Sequence, residues 1–446
     1  MEKLIHLGKK LFPICRSITG NGTLETLKEI KKHLKNLKIK KIPSGKKVFD
    51  WKVPYEWNIK DAFILDKNNS KIIDFKINNL HIINYSSPQN KKITKKKLLK
   101  KLYFVKNFPD AIPYVTSYYK KNWGFCITKN HFDYLNKNYK NSDLFHINID
   151  TYFKKKGYLH YGELLIPGYS KKEILISTYI CHPSMANNEL SGPLLSIALA
   201  KYFKNKKRLK KSIRFIFIPE TIGSIAYINA NLKKIKKNIL FGFVLTCVGD
   251  DEKFSILTSK YNDSCIDKLC IDAYKKMKFK VKKYSFLERG SDERQFSSPG
   301  VNLPMVSMMR SKYNTYKEYH TSKDNFDFVS ASGLKKSYKI HKFVLNQLIK
   351  MNENKINLGR IKNFQLNKKN PIATKICEPN LGKRGLYHFI GTLSNQTLKK
   401  KIASYLDFLQ YADGSNNLKE ISNLINKSQN ETKKVYLFLK KKKLVK

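Results

Sequence analysis

A length of 446 residues predicts two or three domains, because a single domain is usually shorter. The formal net charge of +54 at pH 7 is of the size found in nucleic-acid-binding proteins. Only eight of the 88 basic residues are Arg, however, and Arg is the residue that makes bidentate contacts with phosphates and base edges. We therefore interpret the charge as a chain-wide bias toward Lys and do not expect nucleic acid as a partner.

The seven Cys residues include no Cys-x-x-Cys pair, and their odd number and wide spacing are typical of free thiols in a reducing compartment. The N-terminal segment lacks the continuous apolar stretch of a signal peptide. No stretch approaches the roughly 18 uncharged apolar residues of a membrane span. These features predict a cytoplasmic protein with no membrane partner.

Two changes of pattern divide the first third of the chain. Apolar residues recur at helical spacing from residue 24 to residue 37, which predicts an amphipathic helix with Thr23 as a candidate N-cap. From residue 46 to residue 150 the chain shows short alternating runs broken by Pro, Gly and Asn, which predicts a small β-rich module.

An α/β pattern follows from about residue 158 to residue 350. Continuous apolar runs separated by helical segments predict a mainly parallel sheet that is buried on both faces. After a polar passage, two amphipathic helical segments near the C-terminus predict a small winged-helix-like module. The predicted strands are 174–178, Ser212–Ile218, Ile239–Leu245 and Leu303–Met309.

The stretch from residue 173 to residue 193 organises the prediction of a site. It reads as a buried strand, a polar loop and a helix that begins near Ser191, and the loop carries His182 and Glu189. Ligands of open α/β sheets bind beyond the carboxyl ends of the strands, so this loop is placed for chemistry. The alternative is a polar turn whose Asn and Ser side chains only cap the helix.

Further polar residues fall where other predicted strands end or begin. Glu220 directly follows the strand that ends at Ile218, and Asp250 and Asp251 follow the next one. His320 comes shortly after the last strand, and the segment 288–294 precedes that strand. Two His and several carboxylates at one edge of a sheet predict a metal site.

The order of these residues resembles that of the zinc aminopeptidases that bind co-catalytic zinc. Nearly the full length is similar to a bacterial group of aminopeptidase-like proteins. This resemblance implies a phosphorylase/hydrolase-like mixed sheet with helices on both faces. It also implies three units: a catalytic domain (1–45 and 151–355), an inserted β-rich domain (46–150) and a winged-helix-like domain (370–446). The stretches that carry the resemblance are 12–22, 49–62, 123–126, 162–168, 181–192, 219–228 and 319–325.

Three positions depart from the aminopeptidase pattern. Asn188 stands where the family has its bridging Asp, with Glu189 one residue later. Thr221 stands where the second Glu of a Glu-Glu pair is expected, and the next Asp ligand would fall near Thr246 or Cys247. We therefore expect one zinc ion rather than two.

The resemblance then implies a role for each matched residue. Zinc would be held by His182, Glu189 and His320, although the sequence leaves open whether Asn188 or Glu189 faces the metal. Glu220 would be the general base, or alternatively a ligand that replaces the absent second Glu.

Two residues of the segment 288–294 complete the expected catalytic set. Asp292 would orient substrate or metal ligands, and Arg294 would pair with a substrate carboxylate.

We therefore expect a zinc-dependent hydrolase, or metallopeptidase. It would act as an aminopeptidase or an N-acyl amidohydrolase on a small or modified amino compound or a peptide. The alternative is a non-catalytic sensing or regulatory protein with a degenerate hydrolase core and a winged helix that contacts nucleic acid. The sequence leaves open whether the chain forms a homo-oligomer.

Overall fold

The computed structural model describes residues 1–206, 209–386 and 396–446. Its centre is a mixed eight-stranded sheet, and a separate four-stranded sheet lies in the first third of the chain. The strands are β1 (Lys38–Pro43), β2 (Lys47–Val48), β3 (Trp51–Lys52), β4 (Glu56–Leu65), β5 (Lys71–Asp74), β6 (Gln89–Thr94), β7 (Leu102–Tyr103), β8 (Phe125–Cys126), β9 (Leu144–Lys154), β10 (Tyr158–Ile166), β11 (Ser170–Tyr179), β12 (Lys211–Ile218), β13 (Ile239–Val244), β14 (Phe254–Leu257), β15 (Val281–Tyr284) and β16 (Met305–Met309).

Helices connect and cover these strands. In the described ranges no helix is long and apolar enough to cross a membrane. The helices are α1 (Glu2–Leu11), α2 (Asn21–His33), α3 (Lys95–Leu98), α4 (Lys129–Asn138), α5 (Ser191–Lys204), α6 (Ile222–Asn238), α7 (Cys265–Lys276), α8 (Glu293–Phe296), α9 (Ala331–Lys350), α10 (Gln396–Tyr411), α11 (Leu418–Leu424) and α12 (Gln429–Lys441).

The large sheet has the order β1-β10-β12-β11-β13-β16-β14-β15. Its middle strands β12, β11, β13 and β16 are parallel. The pairs β1–β10, β10–β12 and β14–β16 are antiparallel, and β15 is parallel to β14. Every residue of β12 and β13 is buried, as expected of strands that are covered on both faces. The four predicted strands are confirmed, and the fold is the mixed α/β sheet that the resemblance implies.

The remaining strands of this sheet were not predicted. β1 is rich in Lys, and β14 and β15 have only four residues each, so the run of apolar residues that identifies a buried strand is too short or absent. The N-cap predicted for the first long helix was also wrong. Thr23 lies inside α2, and the N-cap is Gly20, whose φ of 103° favours glycine.

The β-rich region contains the second sheet, with the order β5-β4-β9-β6 and antiparallel pairing throughout. Alternate residues of β9 are buried in a separate hydrophobic core, which includes Phe145, Ile147 and Ile149. This region therefore has a sheet of its own, and its assignment as an inserted domain stays a prediction. Its boundaries at residues 46 and 150 stay predictions.

The C-terminal unit contains α10, α11 and α12 around a hydrophobic core to which Phe286 also contributes, with bridges that join Ile372 to Asp413 and Ala373 to Val445. The sequence predicted α11 and α12 but missed α10. The fully buried Lys260 donates a hydrogen bond to Asp413 at 2.8 Å, which ties this unit to the segment that follows β14. Residues 387–395 of the predicted 370–446 module lie outside the described residues.

Candidate active site

The loop between β11 and α5 is shaped by one buried carboxylate. A single π-helical turn, Ala186–Leu190, precedes α5. Asp324 accepts hydrogen bonds from the backbone N–H groups of Ala186, Asn187 and Asn188 at 3.2, 2.5 and 3.0 Å. Burial raises the pKa of Asp324 to about 6, although these hydrogen bonds act in the opposite direction. The turn is thus held by backbone contacts, and its side chains are available for a site.

His182 is buried in this loop between two carboxylates. Its Nδ1 lies 2.7 Å from Glu189 Oε2, and its Nε2 lies 3.7 Å from Glu220 Oε2. Burial disfavours the charged imidazole, but the two nearby carboxylates outweigh it and raise the pKa of His182 above its usual value. Glu189 therefore lies behind His182 at Nδ1, and Nε2 faces Glu220.

His320 lies beside His182, with 5.3 Å between the ring centroids. Its backbone has a φ of 57°, in the left-handed region that non-glycine residues seldom adopt, and Tyr319 stacks on its ring at 3.9 Å. Tyr114, from the β-rich region, has its ring centroid 5.0 Å from that of His182 and 5.2 Å from that of His320. The two predicted histidines are thus brought together, with an aromatic ring against both.

Glu220 lies at the carboxyl end of β12, as predicted. Its Oε1 accepts a hydrogen bond from Ser291 Oγ at 2.7 Å. The next residue, Thr221, has a φ of 62° and its N–H donates to Asp292 Oδ1 at 2.8 Å. Strained backbone of this kind persists only where neighbouring groups hold it. By holding the backbone of Thr221, Asp292 thus fixes the chain direction after β12 and, with it, the position of Glu220.

Asp292 is fully buried, and it also accepts a hydrogen bond from Ser224 Oγ at 2.7 Å. Burial and the nearby charge of Glu220 raise its pKa to about 7. Arg294 donates to Thr221 Oγ1 at 2.6 Å and its Nη1 lies 3.6 Å from a carboxylate oxygen of Glu378. The guanidinium that was predicted to bind a substrate carboxylate is therefore already near a carboxylate of the chain.

Two of the three departures from the aminopeptidase pattern, at Asn188 and at Thr246 and Cys247, lie together. Thr246 Oγ1 donates to the backbone carbonyl of Asn188 at 2.7 Å, and Asn188 Nδ2 donates to the Tyr179 hydroxyl at 2.8 Å. Cys247 has a φ of 52° and its sulfur is 3.8 Å from Asn188 Nδ2. Polar contacts without a carboxylate therefore occupy the region where the classical family has its second set of acidic ligands.

Three buried oxygens of the site, Asn188 Oδ1, Glu189 Oε1 and Asp292 Oδ2, have no hydrogen-bond partner among the described residues. Buried acceptors are almost always partnered, so such oxygens point to a missing donor or cation. Imidazole nitrogens and carboxylate oxygens are both ligands that zinc accepts, so the residue types present suit this metal.

Within the described part of the chain, one group of three candidate ligand atoms lies within 4.8 Å of one another: Cys181, His182 and Glu189. The predicted trio of His182, Glu189 and His320 does not form such a group. Burial raises the pKa of the Cys181 thiol well above its usual value, and its sulfur accepts the backbone N–H of Glu220 at 3.2 Å. Cys181 thus holds the start of the Glu220 loop as a neutral thiol.

Sequence reasoning missed three residues of the site. Arg16 lies in the stretch 12–22, which carries the resemblance but received no role. Tyr114 lies in the predicted β-rich module, and Asp324 lies four residues after His320. The pattern Tyr-His-Thr-x-x-Asp signals Asp324, and the scarcity of Arg signals Arg16. Asp250 is not beside the histidines but accepts from Asn187 Nδ2 at 2.9 Å, and Asp251 contacts Ser330 and Lys336 at the surface.

A family model described as a domain of unknown function (DUF4910) matches residues 5–353. The chain belongs to the DUF4910 family. A second model, described as a winged helix-turn-helix, matches residues 370–446 of this DUF4910 protein. Together the two matches span most of the chain, and the second confirms a winged helix at its C-terminal end.

Relatives of this DUF4910 protein carry aminopeptidase-like names. A Clostridium acetobutylicum protein, provisionally named a polysaccharide biosynthesis protein with an aminopeptidase-like domain, is 43% identical over 420 residues, which cover 94% of this chain and 90% of that protein. A crystal structure of a provisionally named peptidase from Clostridium acetobutylicum has a TM-score of 0.73 at 39% identity, covering 100% of this chain and 96% of that one. These matches confirm the resemblance to aminopeptidase-like proteins.

A more distant likeness concerns the fold alone. The structure of a zinc aminopeptidase from Bacillus subtilis has a TM-score of 0.58 at 13% identity, covering 80% of this chain and 95% of that one. The fold of the DUF4910 protein is therefore that of the zinc aminopeptidases.

Proposed function

We propose that this protein is a zinc-dependent hydrolase that cleaves an amide or peptide bond. The observation that carries the proposal is the geometry around His182, whose Nδ1 is 2.7 Å from Glu189 and whose Nε2 is 3.7 Å from Glu220. A carboxylate that accepts from one imidazole nitrogen leaves the other for a metal, and it fixes the ring orientation. The His320 ring is next to that of His182.

His182 and His320 would supply the nitrogen ligands, and the buried oxygens that lack a hydrogen-bond partner belong to Asn188, Glu189 and Asp292. A bound zinc ion would polarise the substrate carbonyl. In this proposal Glu189 orients His182 instead of binding the metal directly, which changes the role that the resemblance implied. About one zinc ion per chain is expected.

Glu220 would act as the general base. Ser291 holds one of its carboxylate oxygens at 2.7 Å, which leaves the other directed toward His182. That oxygen would accept the proton of the attacking water and donate it to the nitrogen of the leaving amine. Asp292 would keep Glu220 in place through the backbone of Thr221.

Arg294 would be a weaker anchor for a substrate carboxylate than the sequence suggested. Its guanidinium already contacts Thr221 and Glu378, so a substrate carboxylate would have to compete with Glu378. The substrate class that fits is therefore an aminoacyl or N-acyl compound that needs no carboxylate. The relative named for polysaccharide biosynthesis makes N-acyl amino sugars the first compounds to test.

The test is a hydrolysis assay on metal-free protein with and without one equivalent of zinc. The probes are aminoacyl anilides, dipeptides, N-acetylated amino acids and N-acetylated amino sugars, and amine release is followed with fluorescamine. Zinc-dependent release from at least one class is expected. If the purified protein binds no zinc with useful affinity and no class is cleaved, the proposal is wrong.

A second candidate function is a sensor with a degenerate hydrolase core. It is favoured by the winged helix-turn-helix match and by the absence of carboxylates at Thr221 and Cys247. Ligand binding without turnover, combined with sequence-selective DNA binding, would support this alternative.

A further inference from the structure

Arg16 is the most deeply buried basic side chain near the site, with 0% of the residue exposed. It lies in the loop between α1 and α2, and its Nη1 donates to the backbone carbonyl of Leu11 at 2.6 Å. Arg is almost never fully buried unless its charge is paired. A buried guanidinium in this loop therefore needs an explanation.

The partners of Arg16 belong to the His182 loop. Its Nε donates to the backbone carbonyl of His182 at 2.9 Å and lies 3.8 Å from Glu189 Oε1. Both side chains of the Arg16–Glu189 pair are 0% exposed. Glu189 uses its second oxygen for His182 Nδ1 at 2.7 Å. The guanidinium, the carboxylate and the imidazole are thus consecutive buried neighbours. The Arg16–Glu189 contact is an ion pair without a hydrogen bond, because Glu189 Oε1 has no hydrogen-bond partner among the described residues.

This arrangement has two consequences for His182. The positive charge of Arg16 compensates the buried negative charge of Glu189, so Glu189 remains an acceptor for an N–H at Nδ1. A hydrogen on Nδ1 leaves the lone pair on Nε2, the nitrogen that faces Glu220. The hydrogen bond to the His182 carbonyl fixes the main chain of the same residue.

We propose that Arg16 is a positioning residue that holds His182, through Glu189 and through the His182 carbonyl, in the orientation and tautomer that bind metal at Nε2. The inference rests on the proposed function for its metal but concerns residues of this chain only. It gives a role to the polar loop 12–22, for which the proposed mechanism has no other use.

Arg214 offers a matched control. It is also buried, and it donates to Glu173 and Glu163 at 2.5 and 2.6 Å between β10, β11 and β12. It therefore shares the burial and the ion pairing of Arg16 but does not contact the His182 loop. A general effect of losing a buried Arg should be the same at both positions.

The test compares Arg16→Met and Arg16→Lys with Arg214→Met and Arg214→Lys in the full chain. Zinc affinity is measured by competition with a chromophoric chelator. The Arg16→Met variant is expected to bind zinc about 10- to 100-fold more weakly, the usual effect of losing an outer-shell partner. Arg16→Lys, which keeps the charge, should recover part of this loss. Both Arg214 variants should keep wild-type zinc affinity.

A second readout does not need metal. The ¹⁵N shifts of the His182 ring are assigned by their loss in His182→Ala, and metal-free wild-type protein should show a protonated Nδ1. In both Arg16 variants this signature should weaken toward a mixture of tautomers. If Arg16→Met does not fold, Arg16→Lys still provides both readouts.

The inference is wrong if folded Arg16 variants keep wild-type zinc affinity and wild-type His182 shifts. It is equally wrong if the Arg214 variants lose as much zinc affinity. If wild-type protein binds no zinc, the proposed function fails, while the metal-free shifts still decide whether Arg16 positions His182.

Discussion

At the scale of single residues, the site contains two carboxylates that face the two different nitrogens of one imidazole. Glu189 contacts Nδ1 of His182 from the buried side, and Glu220 faces Nε2 from the end of β12. Glu220 keeps 21% of its side chain exposed, whereas Glu189 is fully buried. The more accessible carboxylate is the one that can exchange a proton with a substrate or with water.

The first prediction concerns Glu220. In Glu220→Gln the size of the side chain is kept but the proton acceptor is lost, so turnover should fall by roughly 10² to 10⁴ while zinc stays bound. Turnover and zinc content are measured on the same preparation. Loss of metal together with activity would identify Glu220 as a ligand, and full activity with full zinc would show that it is neither.

The second prediction concerns the histidines. His182→Ala and His320→Ala should each abolish stoichiometric zinc binding, and wild-type protein should carry about one zinc per chain, as measured by elemental analysis and native mass spectrometry. His146→Ala is the control, because that ring lies on β9 and contacts Asn90 instead of the site. Two zinc ions of similar affinity, or full occupancy in either site variant, would contradict the assignment.

At the scale of elements, the site is assembled from segments that belong to different units. The N–H of Tyr114, from the β-rich region, donates to the backbone carbonyl of His320 at 2.8 Å, and Pro113 bridges to Thr321. Gln410 of α10 donates to the carbonyl of Arg294 at 2.9 Å. Both the β-rich region and the C-terminal unit therefore contact loops that carry site residues.

The third prediction tests one connection between units. Asp50, in the hairpin of β2 and β3, accepts from the backbone of Asn380 and from Lys383 and Arg384 at 2.9, 2.7 and 2.5 Å. Burial opposes ionisation of Asp50, but these donors outweigh it and lower its pKa. Asp50→Asn should lower the free energy of unfolding at pH 7 by about 1.5–3 kcal/mol, as for hydrogen bonds to charged groups.

The pH dependence follows from the sign of this shift. Because the pKa is lower in the folded state, the stabilisation is present above the unfolded pKa of about 4 and is lost as the pH falls through the folded pKa. The urea midpoints of wild type and Asp50→Asn should therefore converge at low pH. Asp133→Asn, at the exposed i,i+4 pair with Lys129 on α4, is the control and should shift little at any pH. A pH-independent difference for Asp50→Asn would contradict this account.

At the scale of the whole molecule, the net charge of +54 is the dominant electrostatic feature. Such a surface attracts phosphates by counterion release whatever the function of the protein. Binding to nucleic acid at low salt is therefore not informative about the winged helix.

The fourth prediction separates nonspecific electrostatic binding of DNA from recognition of a DNA sequence. Binding to a random-sequence duplex, measured by fluorescence anisotropy, should fall by about 10³-fold or more between 50 and 200 mM salt. No sequence should be preferred at about 150 mM salt. Sequence-selective binding that survives at this salt concentration would contradict the prediction and favour the sensor.

The sequence by itself determined the central strands and the positions of the main polar residues. The strands β11, β12, β13 and β16 each contain a continuous apolar run, and such a run is visible in the local sequence. These strands could therefore be located from the sequence, together with His182, Glu220 and His320, which follow strands along the chain. The resemblance then assigned roles by position along the chain.

Only the tertiary structure decided which groups meet. Arg16 and His182 are 166 residues apart in sequence, and no local pattern records that one donates to the other. The same is true of Asp292 and Thr221, which are 71 residues apart. Glu189 was expected at the metal because it is the carboxylate next to the matched position Asn188, but it lies between His182 and the buried guanidinium of Arg16. Side-chain direction in a buried site is set by charge pairing across distant segments, and the folded chain alone brings those segments together.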